Sequence, residues 1–167
     1  GISLSSRIGK ACYIPLGHES KKCLDKNIVL NKLKPLLEDP SIKKIGQNIK
    51  FDFIVLFKHG INISSMEDTM LMSYVLYSGK NRHNMDTLSE IHLNHKTIAF
   101  KDLVGTGKKE INFSEVDIEK AKDYAAEDAD ITYRLYKKFH KSLKEEKMIN
   151  IYEIFEKPMI KILAYME

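Results

Sequence analysis

Tyr124 and Asp128 stand four residues apart in the segment KDYAAEDADITYRLY, residues 122–136. On a helix that spacing puts them on one face. A phenol beside a carboxylate, with Ala125 and Ala129 keeping the surroundings slim, can address a single ligand. Glu127 and Asp130 fall on other faces and are expected to meet solvent. A further acid, Asp52, lies in GQNIKFDFIVL beside Phe51, Phe53, Ile54 and Val55. A carboxylate in that company is costly to bury unless it is paired or bound to a metal. Periodicity leaves open the alternative, the exposed side of an amphipathic helix. His92 and His95 are three apart in IHLNHKT, but no further ligand type clusters near them, so a surface or loop role outweighs a metal pair. GTGKK, Gly105 to Lys109, lacks phosphate-loop spacing and reads as a flexible loop. A basic loop near DNA is the alternative there.

These residues need a scaffold, and the chain's periodicities outline one. Ile2 to Ser5 alternates like a half-buried strand. Gly9-Lys10 reads as a turn into a second strand over Ala11 to Leu16, with Pro15 at its end or on an edge. Asn27 to Glu38 has helical spacing and stops at Asp39-Pro40. Ile42 to Gly46 is a short strand. Asn48 is a plausible N-cap for a helix through Phe57 that Gly60 closes. Glu67 to Tyr77 and Met85 to His92 read as helices, and Lys101 to Lys109 as a loop. Ser114 caps a short turn. A long helix then runs from about Asp117 to Glu145, another covers Met148 to Glu156, and Pro158 sits in the first turn of a last one. Three early strands followed by helices make an α/β or α+β domain.

The totals fit this picture. The 167 residues favour one domain with a real core. A composition of 43% hydrophobic and 30% charged residues is that of an ordinary globular chain. Cys12 and Cys23 are too few for a disulfide framework, so a reduced, cytoplasmic setting is expected. No apolar run approaches the length of a membrane span, and no membrane partner is expected. A net charge of +4 suits a polyanionic partner without identifying one. The start at Gly1, without Met, reads as cut from something longer.

Five segments in order carry a resemblance: KKIGQNIKFD, EDTMLMSYVL, NRHNMDTLSE, HKTIAFKDLVGTGKKEINFSEV and KDYAAEDADITYRLY. Together they resemble the proofreading 3′→5′ exonuclease domain of bacterial DNA polymerase I, over nearly the whole chain. LKPLLEDP fits as well, and YEIFEKPMIKILAYME resembles the run into the polymerase domain. The resemblance implies a ribonuclease H-like fold, a mixed sheet flanked by helices. It divides the chain into an exonuclease domain over residues 1–156 and the start of a polymerase domain over 157–167. It implies two divalent metal ions, Mg²⁺ or Mn²⁺ with Zn²⁺ as a further candidate. Four carboxylates and a tyrosine form the family's site. Asp52 matches the acid of its second motif, Asp128 that of its third, and Tyr124 the tyrosine that orients the attacking water. Hard cations need oxygen ligands, and two of them can flank a scissile phosphate. The substrate implied is the 3′ end of single-stranded or frayed DNA. Gln47 and Asn48 match contacts to the terminal nucleotide, with Phe51 beside them. Phe100 matches an aromatic packed on the terminal bases, and Arg82 a phosphate contact. Their structural alternatives are a helix cap for Asn48, core packing for Phe51 and Phe100, and surface charge for Arg82.

The family's first motif, Asp-x-Glu on the central strand, has no counterpart in order here. Gly1 to Ser6 matches the family's second strand, and the earliest acid is Glu19. Asp117-Ile118-Glu119 spells the motif, but at a helix start its two side chains diverge by about 200°, and its acids suit the helix dipole instead. The chain is therefore expected to lack the central strand, to bind metal weakly and to be inactive alone, within a longer parent that proofreads. Two other readings remain: a non-catalytic scaffold that positions DNA for a polymerase, and a ribonuclease D-like RNA exonuclease.

Overall fold

The computed structural model describes residues 1–19, 23–107 and 110–167. Lys108 and Lys109 of the GTGKK stretch lie outside the described residues. The chain opens with an antiparallel hairpin, β1 (Ile2–Arg7) and β2 (Lys10–Ile14). Ile2 faces Ile14 and Leu4 faces Cys12. Gly9 turns the chain at φ 73°, a left-handed conformation that costs glycine little. Helix α1 (Lys26–Glu38) follows, its first turn capped by the Asp25 carboxylate, which accepts from the Ile28 N–H.

A second pair comes next. β3 (Lys44–Gly46) runs parallel to β4 (Met66–Asp68), with α2 (Ile49–Phe57) as the crossover between them. The periodicity places Glu67 and Asp68 in a helix, but the structure puts both in β4. Helix α3 (Thr69–Tyr77) starts only after them. Three residues are too few for alternation to announce a strand. The expected mixed sheet is thus two pairs, one antiparallel and one parallel, that do not hydrogen-bond to each other among the described residues.

Helices α4 (Met85–Leu93) and α5 (Phe100–Val104) lead to the long α6 (Ile118–Glu145). The sequence reading makes Lys101 to Val104 a loop; in the structure they continue a short helix that Gly105 ends at φ 80°. Asp117 caps α6 by accepting from the Glu119 and Lys120 N–H groups, as its place at the helix start requires. The expected helix over Met148 to Glu156 is one α turn, α7 (Ile149–Ile151), then a π-helical stretch (Tyr152–Glu156) that runs into α8 (Lys157–Met166).

Helix α6 organises the molecule. Leu135, Phe139 and Leu143 on its inner face are fully buried against Met72, Leu88 and Tyr152. Its N-terminal half packs on the β1–β2 hairpin. A second cluster joins Ile49 and Phe53 of α2 to Met66 and to Ile160 of α8. The C-terminal helix is therefore packed into the same core as α2, and Tyr165 meets Phe53 and Phe57 edge-on at 5.9 and 6.0 Å. No helix among the described residues is long and apolar enough to cross a membrane.

Candidate active site

Helix α6 delivers Tyr124 and Asp128 to one face, as their spacing requires. The phenol sits where it favours the ionised carboxylate, and both residues are half-buried. Burial first, then the charges of Glu127 and Asp86, push the Asp128 carboxyl up to about 7, against the pull of the Tyr124 hydroxyl. Burial and the Asp128 charge raise the Tyr124 phenol well above its ordinary value, so it stays protonated and can donate a hydrogen bond. Phe100, at the start of α5, is 49% exposed. Its ring stacks on Phe113 at 5.9 Å and lies 5.9 Å from the Tyr124 ring. The structure thus brings Phe100, Tyr124 and Asp128 together, with Phe113 supporting the two rings.

Asp52 stands on α2, one residue past Phe51. Its carboxyl is pushed up to about 6, first by the packing around it and second by the Asp68 charge. The residue is exposed at the surface, so water screens part of that penalty. The core-packing alternative for Phe51 is excluded, since its ring is 58% exposed with the Lys50 ammonium 5.2 Å from its centroid. Asn48 does not cap α2. It sits in the left-handed region at φ 61°, which Asn tolerates, and its side chain makes no cap hydrogen bond. The cap comes from Asp68. One oxygen of its carboxylate accepts from the Asn48 N–H at 3.1 Å and the other from the Ile49 N–H at 2.9 Å.

Gln47 is already engaged. Its amide donates to the His83 carbonyl at 2.8 Å and accepts from the Thr69 hydroxyl at 2.5 Å. It holds the end of β3 against the loop that carries Arg82. Arg82 itself is exposed, with no acid paired to it among the described residues. The same loop leads to Asp86, whose charge reaches Asp128 and Tyr124. Asp86 accepts from the Thr97 hydroxyl at 2.6 Å. The α2 group and the α6 group are thus joined by the 81–86 segment. Among the described residues no group of three or more His, Cys, Asp or Glu converges as a metal site.

Two sequence expectations are corrected here. Glu127 and Asp130 do not face solvent. Glu127 pairs with His95 at 2.7 Å and accepts from the Ile98 N–H at 2.7 Å. Asp130 pairs with Arg134 at 2.7 Å and accepts from the Gly9 N–H at 2.6 Å, which fastens the hairpin turn to α6. His92 and His95 have separate tasks. His95 serves Glu127, while the His92 ring stacks on Tyr77 at 4.6 Å and meets Phe139 edge-on at 4.9 Å.

Sequence reasoning did not single out Asp68, Asp86 or Phe113. Asp68 had a usable signal, an Asp directly before the apolar run of α3. Asp86 and Phe113 had none, since their partners are distant in sequence.

Comparisons with known proteins bear on the chain as a whole. Residues 1–144 match a family model described as 3′-5′ exonuclease. The chain is 42% identical to DNA polymerase I of Rhizobium leguminosarum over 169 residues, covering 95% of this chain and 17% of that protein. It is 41% identical to DNA polymerase I of Pseudomonas aeruginosa over 174 residues, covering 100% of this chain and 19% of that protein. The chain therefore spans less than a fifth of these relatives' length. Among solved structures, one described as the apo form of the nuclease superposes with a TM-score of 0.71 at 20% identity. It covers 98% of this chain and 71% of that one. Brucella melitensis NrnC with bound Mg²⁺ gives a TM-score of 0.59 at 21% identity, covering 88% and 63%. These two likenesses establish the nuclease fold.

Proposed function

The chain belongs to the 3′-5′ exonuclease family, as the exonuclease domain of a DNA polymerase I, and on that premise we propose that it takes the 3′ end of single-stranded or frayed DNA and serves its hydrolysis within a longer polymerase chain. The observation that carries this reading is the grouping of Tyr124, Asp128 and Phe100 on one surface. The DNA polymerases among its relatives favour DNA over RNA as substrate.

The donor set fits a hard divalent cation. Asp52 and Asp128 are oxygen ligands, both are pushed toward protonation, and neither has an ion-pair partner among the described residues, whereas Glu67 and Asp130 do. Asp52 and Asp128 would hold such ions, Mg²⁺ or Mn²⁺, which when bound supply positive charge and an activated water for phosphodiester hydrolysis. The rest is done by the chain's own groups. Tyr124, kept as a phenol, donates a hydrogen bond and orients; it is not a base. Phe100 offers an exposed face for a terminal base, braced from behind by Phe113. Asn48 presents a side-chain amide with no hydrogen-bond partner among the described residues, beside Phe51. Arg82, with no acid paired to it among the described residues, offers its guanidinium to a phosphate. Gln47 acts by holding the Arg82 loop.

Two carboxylates are few for a two-ion site. We propose that further acids from outside these 167 residues complete it and that the chain alone is inactive or nearly so. Residues 1–156 would be the exonuclease unit and 157–167 the passage to the polymerase region. The test is release of 3′-terminal nucleotides from end-labelled single-stranded DNA with Mg²⁺ or Mn²⁺, using this chain and a polymerase-length chain that contains it. Release is expected from the longer chain only. Asp128→Ala there should lower it at least about a hundredfold, since even outer partners of metal ligands cost 10–100-fold. Robust release from the 167-residue chain would overturn the inactivity. Release from neither folded chain would favour the non-catalytic scaffold reading.

A further inference from the structure

Glu67 and Asp68 are each 1% exposed, in a three-residue strand. Buried acids of this kind must find partners, and theirs point in opposite directions. The Asp68 carboxylate caps two helices at once. Besides the Asn48 and Ile49 N–H groups at the start of α2, it accepts from the Met70 N–H at 2.8 Å and the Leu71 N–H at 3.3 Å at the start of α3. Two helix N-termini share one negative charge. On the other side, the Tyr152 hydroxyl accepts from the Asp68 backbone N–H at 2.9 Å and donates to the Glu67 carboxylate at 3.1 Å. Glu67 is neutralised by Lys157 at 2.9 Å and Lys43 at 3.3 Å. Tyr152 is fully buried and opens the π-helical stretch, and Lys157 opens α8.

A continuous set of hydrogen bonds therefore runs from the C-terminal segment to the first turn of α2. That turn carries Asn48, Phe51 and Asp52. We infer that Tyr152 is a positioning residue, which fixes the strand bearing Asp68 and through it the place and pitch of α2's first turn. The inference rests on the reading of that turn as part of the DNA site. The C-terminal segment then sets where the α2 residues meet their ligand without touching it. The π-helical turn has a reason in this arrangement: it places Tyr152 and Lys157, five residues apart, on the same buried acid.

The test uses the 167-residue chain. Tyr152→Phe removes only the hydroxyl, and Glu67 keeps its two lysines. Leu30→Ala, in the separate core cluster that α1 forms with Leu37 and Ile61, is the control for general loss of stability. Amide hydrogen exchange is read at Asn48, Ile49 and Asp68, and binding of a 5′-labelled oligothymidylate by fluorescence anisotropy. With the pair compared at conditions of equal stability, Tyr152→Phe should speed exchange at these amides about five- to tenfold more than Leu30→Ala, as expected for one lost buried hydrogen bond. It should weaken oligonucleotide binding by a similar factor. Equal exchange in the two variants would overturn the inference. So would faster exchange with unchanged binding, which would make the contact purely structural. If the unaltered chain does not bind the oligonucleotide, the DNA reading falls, and the exchange comparison alone decides whether Tyr152 holds α2. Should Tyr152→Phe fail to fold, Glu67→Gln weakens the acceptor of the same hydroxyl with its shape preserved and is subject to the same outcomes.

Discussion

Asp128 is held above its ordinary carboxylate value, and the direction of its effect on stability follows. With an unfolded value near 3.8 and a folded value of about 7, the folded chain holds the proton more tightly between the two. Stability from this group is therefore fully present below about pH 4 and is lost as the pH rises through about 7. Asp52, at about 6, acts in the same direction over a narrower window. Asp128→Asn, which cannot ionise, should match the unaltered chain in thermal stability at pH 4 and exceed it increasingly up to pH 8, without metal. Melting scans at pH 4, 6 and 8 check this, and an Asn variant that loses stability as the pH rises would contradict it. A bound divalent cation should reverse the trend, because it favours the ionised acid. Tyr124 carries a separate prediction. As an orienting donor it is needed for turnover more than for binding, so Tyr124→Phe in the polymerase-length chain should lower kcat tenfold or more and leave KM nearly unchanged.

At the scale of elements, side chains fasten the site's supports. Asp130 links the β1–β2 turn to α6 through the Gly9 N–H and Arg134, with a side chain only 13% exposed. Removing a part-buried charged acceptor leaves both donors unsatisfied, at a cost of about 1–3 kcal/mol. Asp130→Ala should lose that much in urea unfolding, with faster amide exchange concentrated in Arg7 to Lys10. A loss spread evenly over the chain would argue against the pin. Asp68 illustrates why an element's end is hard to read. Its sequence context announces the cap of α3 but not that of α2, whose first residue lies 19 positions earlier. Gln47 and the 81–86 segment show the same feature, since a loop is placed by one amide from a distant strand end.

For the whole molecule, α6 is the common wall. It carries Tyr124 and Asp128 toward one end and the buried Leu135, Phe139 and Leu143 toward the other. Phe139 is fully buried and touches both Tyr77 and His92. Phe139→Ala should cost about 3–5 kcal/mol, the usual range for a buried aromatic. The thermal transition should stay single while its midpoint falls, because the same core joins α3, α4, α6 and the π-helical stretch. Two resolved transitions would mean that the hairpin end and the α8 end melt independently. Helix α8 belongs to this whole through Ile160 and Tyr165, so truncating it should loosen α2 along with the C-terminal end.

By itself the sequence determined the longer helices (though not the short α5) and their order, the helical face shared by Tyr124 and Asp128, and the five ordered segments that mark the family. These are local or linear properties: a 3.6-residue period, a cap beside its helix, a motif in its place. Only the tertiary structure decided that Glu67 and Asp68 lie in a strand, that Glu127 and Asp130 fasten loops instead of facing water, and that Asn48 yields the capping of α2 to Asp68. It alone placed Phe113 behind Phe100 and Tyr152 beneath β4. The reason is physical. A half-buried acid and a surface acid have the same local sequence requirements. Their difference lies in whichever donor arrives from 20 to 121 residues away, a contact that no periodicity encodes.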